Sequence, residues 1–594
     1  MNVLIIESKG KVEKIQGFLG AGWRVVATLG HIRDLPVKRF GVSSDMKPEY
    51  ELTERGVGIA KRLKAAVSGN DVYIATDPDR EGEAIAWHVA QVLKLSKVKR
   101  CAFTEVTESA VKAAIASPRD LDMNLVRAQE ARRVLDRACG YLVSRPLQRV
   151  VGEKLSAGRV QTPATRLLVE RERERTAFSS VTHYGVRLHF ESVENITDGW
   201  RADLVTSSVL ADGQEYLQDK DLAEVLAACR SLEVLDCKTT TSRQGPPAPF
   251  TTSTLMQAAA SLNLNANQVR EISQRLYDAG LVTYIRTDSP AMAPEAIEAI
   301  RAYCSEQNWP CVAKSRIFKA KDSAQGAHEC IRPTHIKVEE AGETPEERAL
   351  YRLIRLRALA TQLEDAEYST VVLSLGSEHE GRPVRFDARG RVMRSPGWRI
   401  VYGAEVLDES EEDAQAASNP VPAMKIGTRA TALSGEVTTQ KTSPPSRYSE
   451  AKLIRELEKR GIGRPSTYAA IIDTISSRKY VTTEKRFLVP TPLGEKIVSG
   501  LCGHFSFIEY DFTRTMEQSL DDIAEGKAEY RAVIASAHDQ LSKEVQEFAK
   551  ATGKVCEKCG KPMAHRVKKP GKDGKGGYDF WGCTGWPECQ GNRT

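Results

Sequence analysis

A short apolar run, Asp71-Val72-Tyr73-Ile74-Ala75, leads straight into Thr76-Asp77-Pro78-Asp79-Arg80-Glu81-Gly82-Glu83. Behind it Ala84, Ile85, Val89 and Val92 recur at helical spacing. A strand, a tight polar turn and an amphipathic helix in that order make a unit of the α/β class, whose strands line up in parallel. The unit also fixes where its polar residues go. Asp77, Asp79 and Glu81 take alternate positions past the carboxyl end of the strand, where α/β proteins place their sites. Three carboxylates so close repel one another unless a cation lies between them. Hard oxygen ligands of this kind suit Mg²⁺, whose usual enzymatic partner is phosphate. A lone D-x-D is more often a solvated acidic turn; the third carboxylate and the apolar helix behind it favour a site.

The amino terminus has the same plan. Val3-Leu4-Ile5-Ile6 runs into Glu7-Ser8-Lys9-Gly10-Lys11, with Val12, Ile15 and Leu19 at helical spacing. If the two strands are parallel neighbours, Glu7 and Lys11 join the acidic cluster at one sheet edge. Glu7 alone reads as a charge near a helix N-terminus; beside Asp77 it could bind metal or hold a proton, and Lys11 could neutralise phosphate. Further on, Ala279 to Pro290 forms a short β-type run closed by a polar turn. Tyr284 by itself is a core tyrosine with a satisfied hydroxyl. Arg286, two residues on, shares its face of the strand, and a phenol beside a guanidinium is what covalent attack on a phosphodiester needs.

With 594 residues, the chain holds about three to five domains at roughly 100–200 residues each. No apolar run approaches the roughly 18–20 residues of a membrane span, and the amino terminus lacks the basic region and cleavage site of a signal peptide. The expectation is a cytoplasmic protein without a membrane partner. Residues 551–594 carry nine Lys/Arg against four Asp/Glu, so the tail holds most of the net +6 and attracts nucleic acid. Eight of the twelve cysteines are scattered and read as reduced thiols. The other four, Cys556-x2-Cys559 and Cys583-x5-Cys589, have the spacing of a four-thiolate Zn²⁺ site. Between the pairs lies a basic loop, Lys568–Gly577, followed by Tyr578, Phe580, Trp581 and Trp586. Some of these aromatics must pack on the metal knuckles; others could stack on unpaired bases, a contact worth about 1–3 kcal/mol per base.

In order along the chain, Glu7-Ser8-x-x-Lys11, Gly30-His31-Ile32-Arg33-Asp34-Leu35-Pro36, Asp77-x-Asp79-x-Glu81 and Leu155-Ser156-Ala157-Gly158-Arg159-Val160-Gln161 resemble the motifs of type IA DNA topoisomerases. Tyr284-Ile285-Arg286-Thr287-Asp288-Ser289 and Gly461-Ile462-Gly463-Arg464-Pro465-Ser466-Thr467-Tyr468 continue the match, and the cysteine ribbon closes it. The likeness spans essentially the whole chain and is nearest the bacterial topoisomerase I branch. It implies that Tyr284 is the nucleophile joined to a 5′ phosphate, that Arg286 and His328 flank the scissile phosphate, and that Lys11 assists the leaving 3′ oxygen. Glu7, Asp77 and Asp79 would hold Mg²⁺, with Glu81 completing the acidic set, and Cys556, Cys559, Cys583 and Cys589 would hold Zn²⁺. Arg132, Arg133, Asp136, Arg137 and Tyr141 match a DNA-binding helix. His31, Ser156, Ala157, Gly158, Arg159, Val160, Gln161 and Arg478 match further strand contacts, and a groove lined by Arg132, Arg133, Arg137 and Arg159 would receive the strand.

The resemblance further implies a multidomain α/β plus α and β fold: a toprim domain and a toroidal core with a C-terminal zinc ribbon. Its segments would be 1–118 (toprim), 119–182 with 441–548 (helical, DNA-binding), 183–245 with 365–440 (β-rich arch), 246–364 (tyrosine-bearing) and 549–594 (ribbon). The expected activity is to cut one strand, pass a strand and reseal without ATP, relaxing negative supercoils; the alternative is a topoisomerase III-like decatenase. No G-x-x-x-x-G-K-[S/T] loop is present. The expected partner is single-stranded or negatively supercoiled DNA, bound by a monomer. Two positions depart from the family pattern: Lys9-Gly10 replaces the usual Pro-Ala, and Gln148 stands where tryptophan is frequent. Bacterial relatives often carry several ribbons; this sequence has one complete set.

Overall fold

The computed structural model describes the chain apart from residues 193–198, 321–327, 404–410, 552–555, 560–562, 569–577, 584 and 594. Near its amino terminus lies a parallel sheet in the order Trp23–Ala27, Asn2–Ile6, Asp71–Ala75, Lys99–Arg100. Val3 and Ile5 pack into one apolar cluster, Leu4 and Ile6 into another, so the central strand is buried on both faces and its sequence is continuously apolar. Asn2 pairs with Asp71 and Ile6 with Ala75. The two strands therefore end level, and Glu7 and Thr76 leave the sheet side by side. Helix Arg80–Leu93 follows, capped by Asp79 and burying Ala84, Ile85 and Val89. At Gly82 any β-carbon would lie 2.0 Å from the Asp77 carbonyl oxygen, so only glycine lets the acidic turn fold back so tightly.

Helix Met123–Ala138 runs through a π-helical turn, Cys139–Val143, into Ser144–Val151. Its Ala128, Ala131, Val134 and Leu135 share a core with Leu520, Ile523 and Ile534, from helices Tyr510–Ala524 and Tyr530–Ala551. Two distant stretches of chain thus form one helical body. A closed barrel is built from Ala366–His379, Arg382–Ser395, Trp200–Leu204, Thr182–Phe190, Arg429–Lys441 and Ser231–Gln244, in that order around it. Val186, Leu188 and Phe190 point inward at the period of two that a strand imposes, and Phe190 stacks on Trp200 at 4.0 Å.

Between two barrel strands the chain makes helices Thr252–Ala258, Ala266–Asp278, Pro294–Glu306 and Pro345–Ala360. The β-type run expected around Tyr284 is an extended loop whose one bridge is Val282 to Pro333. Its backbone partners lie elsewhere: Thr283 N donates to Arg332 O, and Tyr284 N donates to Thr104 O at 2.7 Å, across to the parallel-sheet segment. Leu276, Tyr277, Tyr284 and Ile285 share a core with Leu4, Ile6 and Ala75.

Candidate active site

The loop carrying Tyr284 docks against the acidic sheet edge. Tyr284, 1% exposed, donates its hydroxyl to Asp79 Oδ2 at 2.7 Å, and Arg286 Nη1 reaches the same oxygen at 3.3 Å. Burial, followed by the Asp79 charge, pushes the phenol well above its ordinary pKa despite the nearby Arg286. Tyr284 therefore rests protonated. The other Asp79 oxygen accepts from Gly82 N at 2.8 Å, so the helix cap also aims the acceptor at the tyrosine.

Lys11 Nζ lies 2.6 Å from Asp77 Oδ1, with both side chains buried. It also lies 3.6 Å from Asp278 Oδ1 and 4.2 Å from the centre of the Tyr277 ring. Burial opposes the ammonium, but Asp77, Tyr277 and Asp278 more than offset it, so the lysine stays charged. Burial likewise opposes the Asp77 carboxylate, yet Lys11 and Arg286 hold its pKa below the ordinary value. Glu7 differs. Its Oε2 is buried without a hydrogen-bond partner, and burial together with Asp77 and Asp79 raises its pKa to about 7. A buried carboxylate oxygen without a partner, beside other acidic groups, is a place for a cation. Mg²⁺ usually takes one or two carboxylates and leaves its remaining positions to water and substrate phosphate, and Glu7 with Asp77 fits that donor set.

Glu7, Asp77 and Arg286 line a cleft of about 510 Å³ with Lys9, Arg270 and Arg275. Asp79 and His328 line a second cavity of about 870 Å³ with Arg80 and Phe103. The tyrosine and its carboxylate thus stand between two openings. The His328 ring is 5.4 Å from that of Tyr284; burial lowers its pKa, and its Nδ1 has no partner. Glu81 faces elsewhere. Its Oε2 accepts from Gln129 at 3.2 Å and lies 3.1 Å from His31 Nε2. Despite burial, the His31 bond and Arg132 hold Glu81 down to about 2.

The residues expected on DNA fall into two groups. Arg159 is buried, not set along an open groove, whereas Arg132, though largely buried, lines a cleft of about 190 Å³ with His31, Arg133 and Asp136. Arg159 donates to Asp136 at 2.9 Å and to Glu517 at 2.7 Å, and Arg132 lies 3.8 Å from Asp136. The Arg159 guanidinium is held by two carboxylates because burying an unpaired charge is prohibitive, whereas Nη1 of Arg132 has no hydrogen-bond partner. The others are half-buried. Arg133 makes a two-pronged contact with Asp34 at 2.7 Å, Arg137 Nη2 donates to the Pro36 carbonyl, and Tyr141 lies in the π-helical turn beneath Arg145. Arg478 donates to Ser156 O at 2.8 Å, bringing it to the segment Ser156–Gln161. Within that segment Ala157 N donates to Ser144 Oγ and Gly158 N to Thr162 Oγ1, Val160 is buried, and Gln161 opens helix Gln161–Ala177.

Sequence reasoning missed the scaffold. Arg100, fully buried, donates to the carbonyls of Thr76 and Asp77 at 2.8 Å each and to Glu83 at 3.0 Å. Asp521 receives Arg80 at 2.9 Å and Arg464 at 2.6 Å, tying the acidic turn to helix Tyr510–Ala524. Arg464 lies inside the quoted Gly461–Tyr468 motif, a signal that could have pointed to this tie; Arg100, Asp278 and Glu517 lie in no such pattern.

At the carboxyl end the sulfurs of Cys556, Cys559, Cys583 and Cys589 all lie within 4.8 Å of one another. Cys556 and Cys589 are 3.7 Å apart, and a tetrahedral set about 2.3 Å from zinc would be spaced by about 3.8 Å. A β-carbon at Gly591 would lie 2.1 Å from Cys556 Sγ, so glycine is required there. The basic loop at 568–577 falls almost wholly outside the described residues, as does the side chain of Tyr578.

The family model described as DNA topoisomerase matches residues 120–535, and that of the Toprim domain matches residues 2–106. The DNA topoisomerase I (plasmid) of Xylella fastidiosa strain 9a5c is 46% identical, over 99% of this chain and 89% of the relative. The crystal structure of full-length topoisomerase I from Thermotoga maritima superposes with a TM-score of 0.81 at 30% identity, over 100% of this chain and 97% of that one.

Proposed function

The chain belongs to the type IA DNA topoisomerases, and on that footing we propose that it cuts one DNA strand with Tyr284, passes a strand through the break and reseals it without a nucleotide. The observation that carries this reading is the convergence of Tyr284 Oη and Arg286 on one oxygen of Asp79, at the edge where Glu7, Lys11 and Asp77 gather. A phosphodiester entering there takes the place of Asp79 as the partner of Arg286. Tyr284 Oη attacks phosphorus; its proton passes to Asp79 as the bond to the 3′ oxygen breaks, and Lys11 supplies a proton to that oxygen. Arg286 and neutral His328 offset the charge on the phosphoryl oxygens. Resealing retraces these steps, the bond energy having been kept in the phosphotyrosine link.

Glu7 and Asp77 would hold Mg²⁺, which when bound supplies positive charge to the phosphate and the 3′ end. The four cysteines would hold a structural Zn²⁺. The half-buried His31, Arg133, Arg137, Tyr141 and Arg478, with Arg132 in the cleft beside His31 and Arg133, are the candidates for contact with the strand, while Arg159 ties together the helices that present them.

Tyr284→Phe is expected to abolish relaxation of negatively supercoiled plasmid while leaving single-strand binding nearly intact; retained relaxation would sink the assignment. Trapping a covalent adduct on Tyr284 separates this chemistry from a toprim nuclease, which would leave free ends. Relaxation measured beside decatenation on one preparation decides between a topoisomerase I-like and a topoisomerase III-like main activity.

A further inference from the structure

We propose that Asp278 is a positioning residue for Lys11, making the placement of the lysine conditional on docking of the tyrosine-bearing segment. Asp278 closes helix Ala266–Asp278, where a carboxylate opposes the helix dipole, and it is buried. A locally unfavourable charge needs compensation from elsewhere. Gln274 supplies one hydrogen bond at 2.9 Å from the same helix. The rest comes from across the interface: Ser8 Oγ donates to Asp278 Oδ2, and Lys11 Nζ lies 3.6 Å from Oδ1. Next to it Lys14 donates to the Ala279 carbonyl, and Lys11 sits over the Tyr277 ring.

Gly10 makes the arrangement possible. A β-carbon there would stand 2.9 Å from Asp278 Oδ2 and 3.2 Å from Asp278 Cβ. The glycine that departs from the family pattern thus fits this aspartate. Lys11 lies between two acidic anchors on opposite sides of the interface, Asp77 and Asp278. When the tyrosine segment lifts away, Lys11 keeps Asp77 alone; when it docks, Asp278 and the Tyr277 ring draw the ammonium toward the side from which Tyr284 acts. The lysine is therefore in place when the nucleophile is.

The inference rests on the role proposed above for Lys11, and the test separates the two. Cleavage rate and dissociation constant are measured on a single-stranded oligonucleotide with the full chain. Asp278→Asn keeps the shape and an acceptor for Ser8 but removes the charge. It should slow cleavage by up to about a hundredfold, the order a misplacement of about 1 Å can cost, with oligonucleotide affinity unchanged. Gly10→Ala should slow cleavage similarly, and the two changes together should cost no more than either alone, since neighbouring groups are not additive. In a Lys11→Met background, Asp278→Asn should add no further loss to the residual rate. If Lys11→Met cleaves like the parent, the role of Lys11 fails and the inference with it. If Lys11→Met is defective but Asp278→Asn cleaves at the parental rate, or its loss persists undiminished without Lys11, or it weakens affinity instead of rate, the inference alone is overturned.

Discussion

Arg100 donates no hydrogen bond to the side chains proposed for the chemistry, yet three partners of the acidic turn depend on it: the carbonyls of Thr76 and Asp77 and the carboxylate of Glu83. Arg100→Met would leave Glu83 buried with only Arg119 as a cationic partner. It is expected to cost about 3–5 kcal/mol, seen as a lower melting temperature together with loss of strand cleavage. Glu7 should behave in the opposite sense. Its carboxylate is buried, repelled by Asp77 and Asp79, and has one oxygen unpartnered. Glu7→Gln should therefore raise the melting temperature without Mg²⁺ while slowing resealing of a nicked intermediate; a lowered melting temperature would contradict it. Of the groups proposed for the chemistry, Glu7, Asp77 and Asp79 were legible because strand ends placed them, and Arg286 because alternation set it beside Tyr284; Tyr284 itself read as a core tyrosine until the family resemblance singled it out. Their supports were not. Arg100, Asp278 and Glu517 become partners of the site only when segments far apart in the chain meet, and no local pattern encodes that meeting.

Helix Tyr510–Ala524 shows the same point one level up. Its apolar face, Met516, Leu520 and Ile523, is readable as helical periodicity. That its inner face also carries Glu517 and Asp521 toward Arg159, Arg464 and Arg80 is not. Glu517 is fully buried; burial opposes its charge, but Arg159, Arg132 and Arg464 hold it down to about 2. A carboxyl whose folded pKa is depressed stabilises the fold above its unfolded value near 4.5, and that stability is lost as pH falls toward 2. Acid unfolding should therefore steepen below about pH 4.5. Glu517→Gln should flatten that limb while lowering stability at neutral pH, by an amount on the order of 3 kcal/mol; a parental acid limb in the variant would refute the tie. The β-rich stretches at 183–245 and 365–440 were expected from the resemblance, but not their closure into one ring, since closure depends on registers such as Ala432 with Phe190 and Thr370 with Thr240. The loop bearing Tyr284 reads as a strand because its side chains alternate, yet its pairing partners are scattered across two segments.

At the scale of the whole molecule, the core of the carboxyl-terminal module among the described residues is small: Cys556, Met563 and Cys583, with Trp581 and Cys589 packed against them. Small modules of this kind fold on their metal. One zinc per chain is expected by elemental analysis. A chelator, or Cys559→Ser, should change the emission of Trp581 and Trp586 while the main melting transition stays in place; retention of the metal in the variant would refute the ligand set. The barrel has a different consequence. Gln244 pairs with Ala366 and Thr182 with Lys441, so the chain enters and leaves the barrel by two ribbons of paired strands. One ribbon carries the stretch that bears Tyr284; the other leads back to the helical body. If Tyr284 is joined to broken DNA as proposed, it would hang from a strip hinge, not from a thread. Such a hinge bends easily in one direction and resists twist, so on the proposed mechanism the two ends of a cut strand would be drawn apart and still return in register.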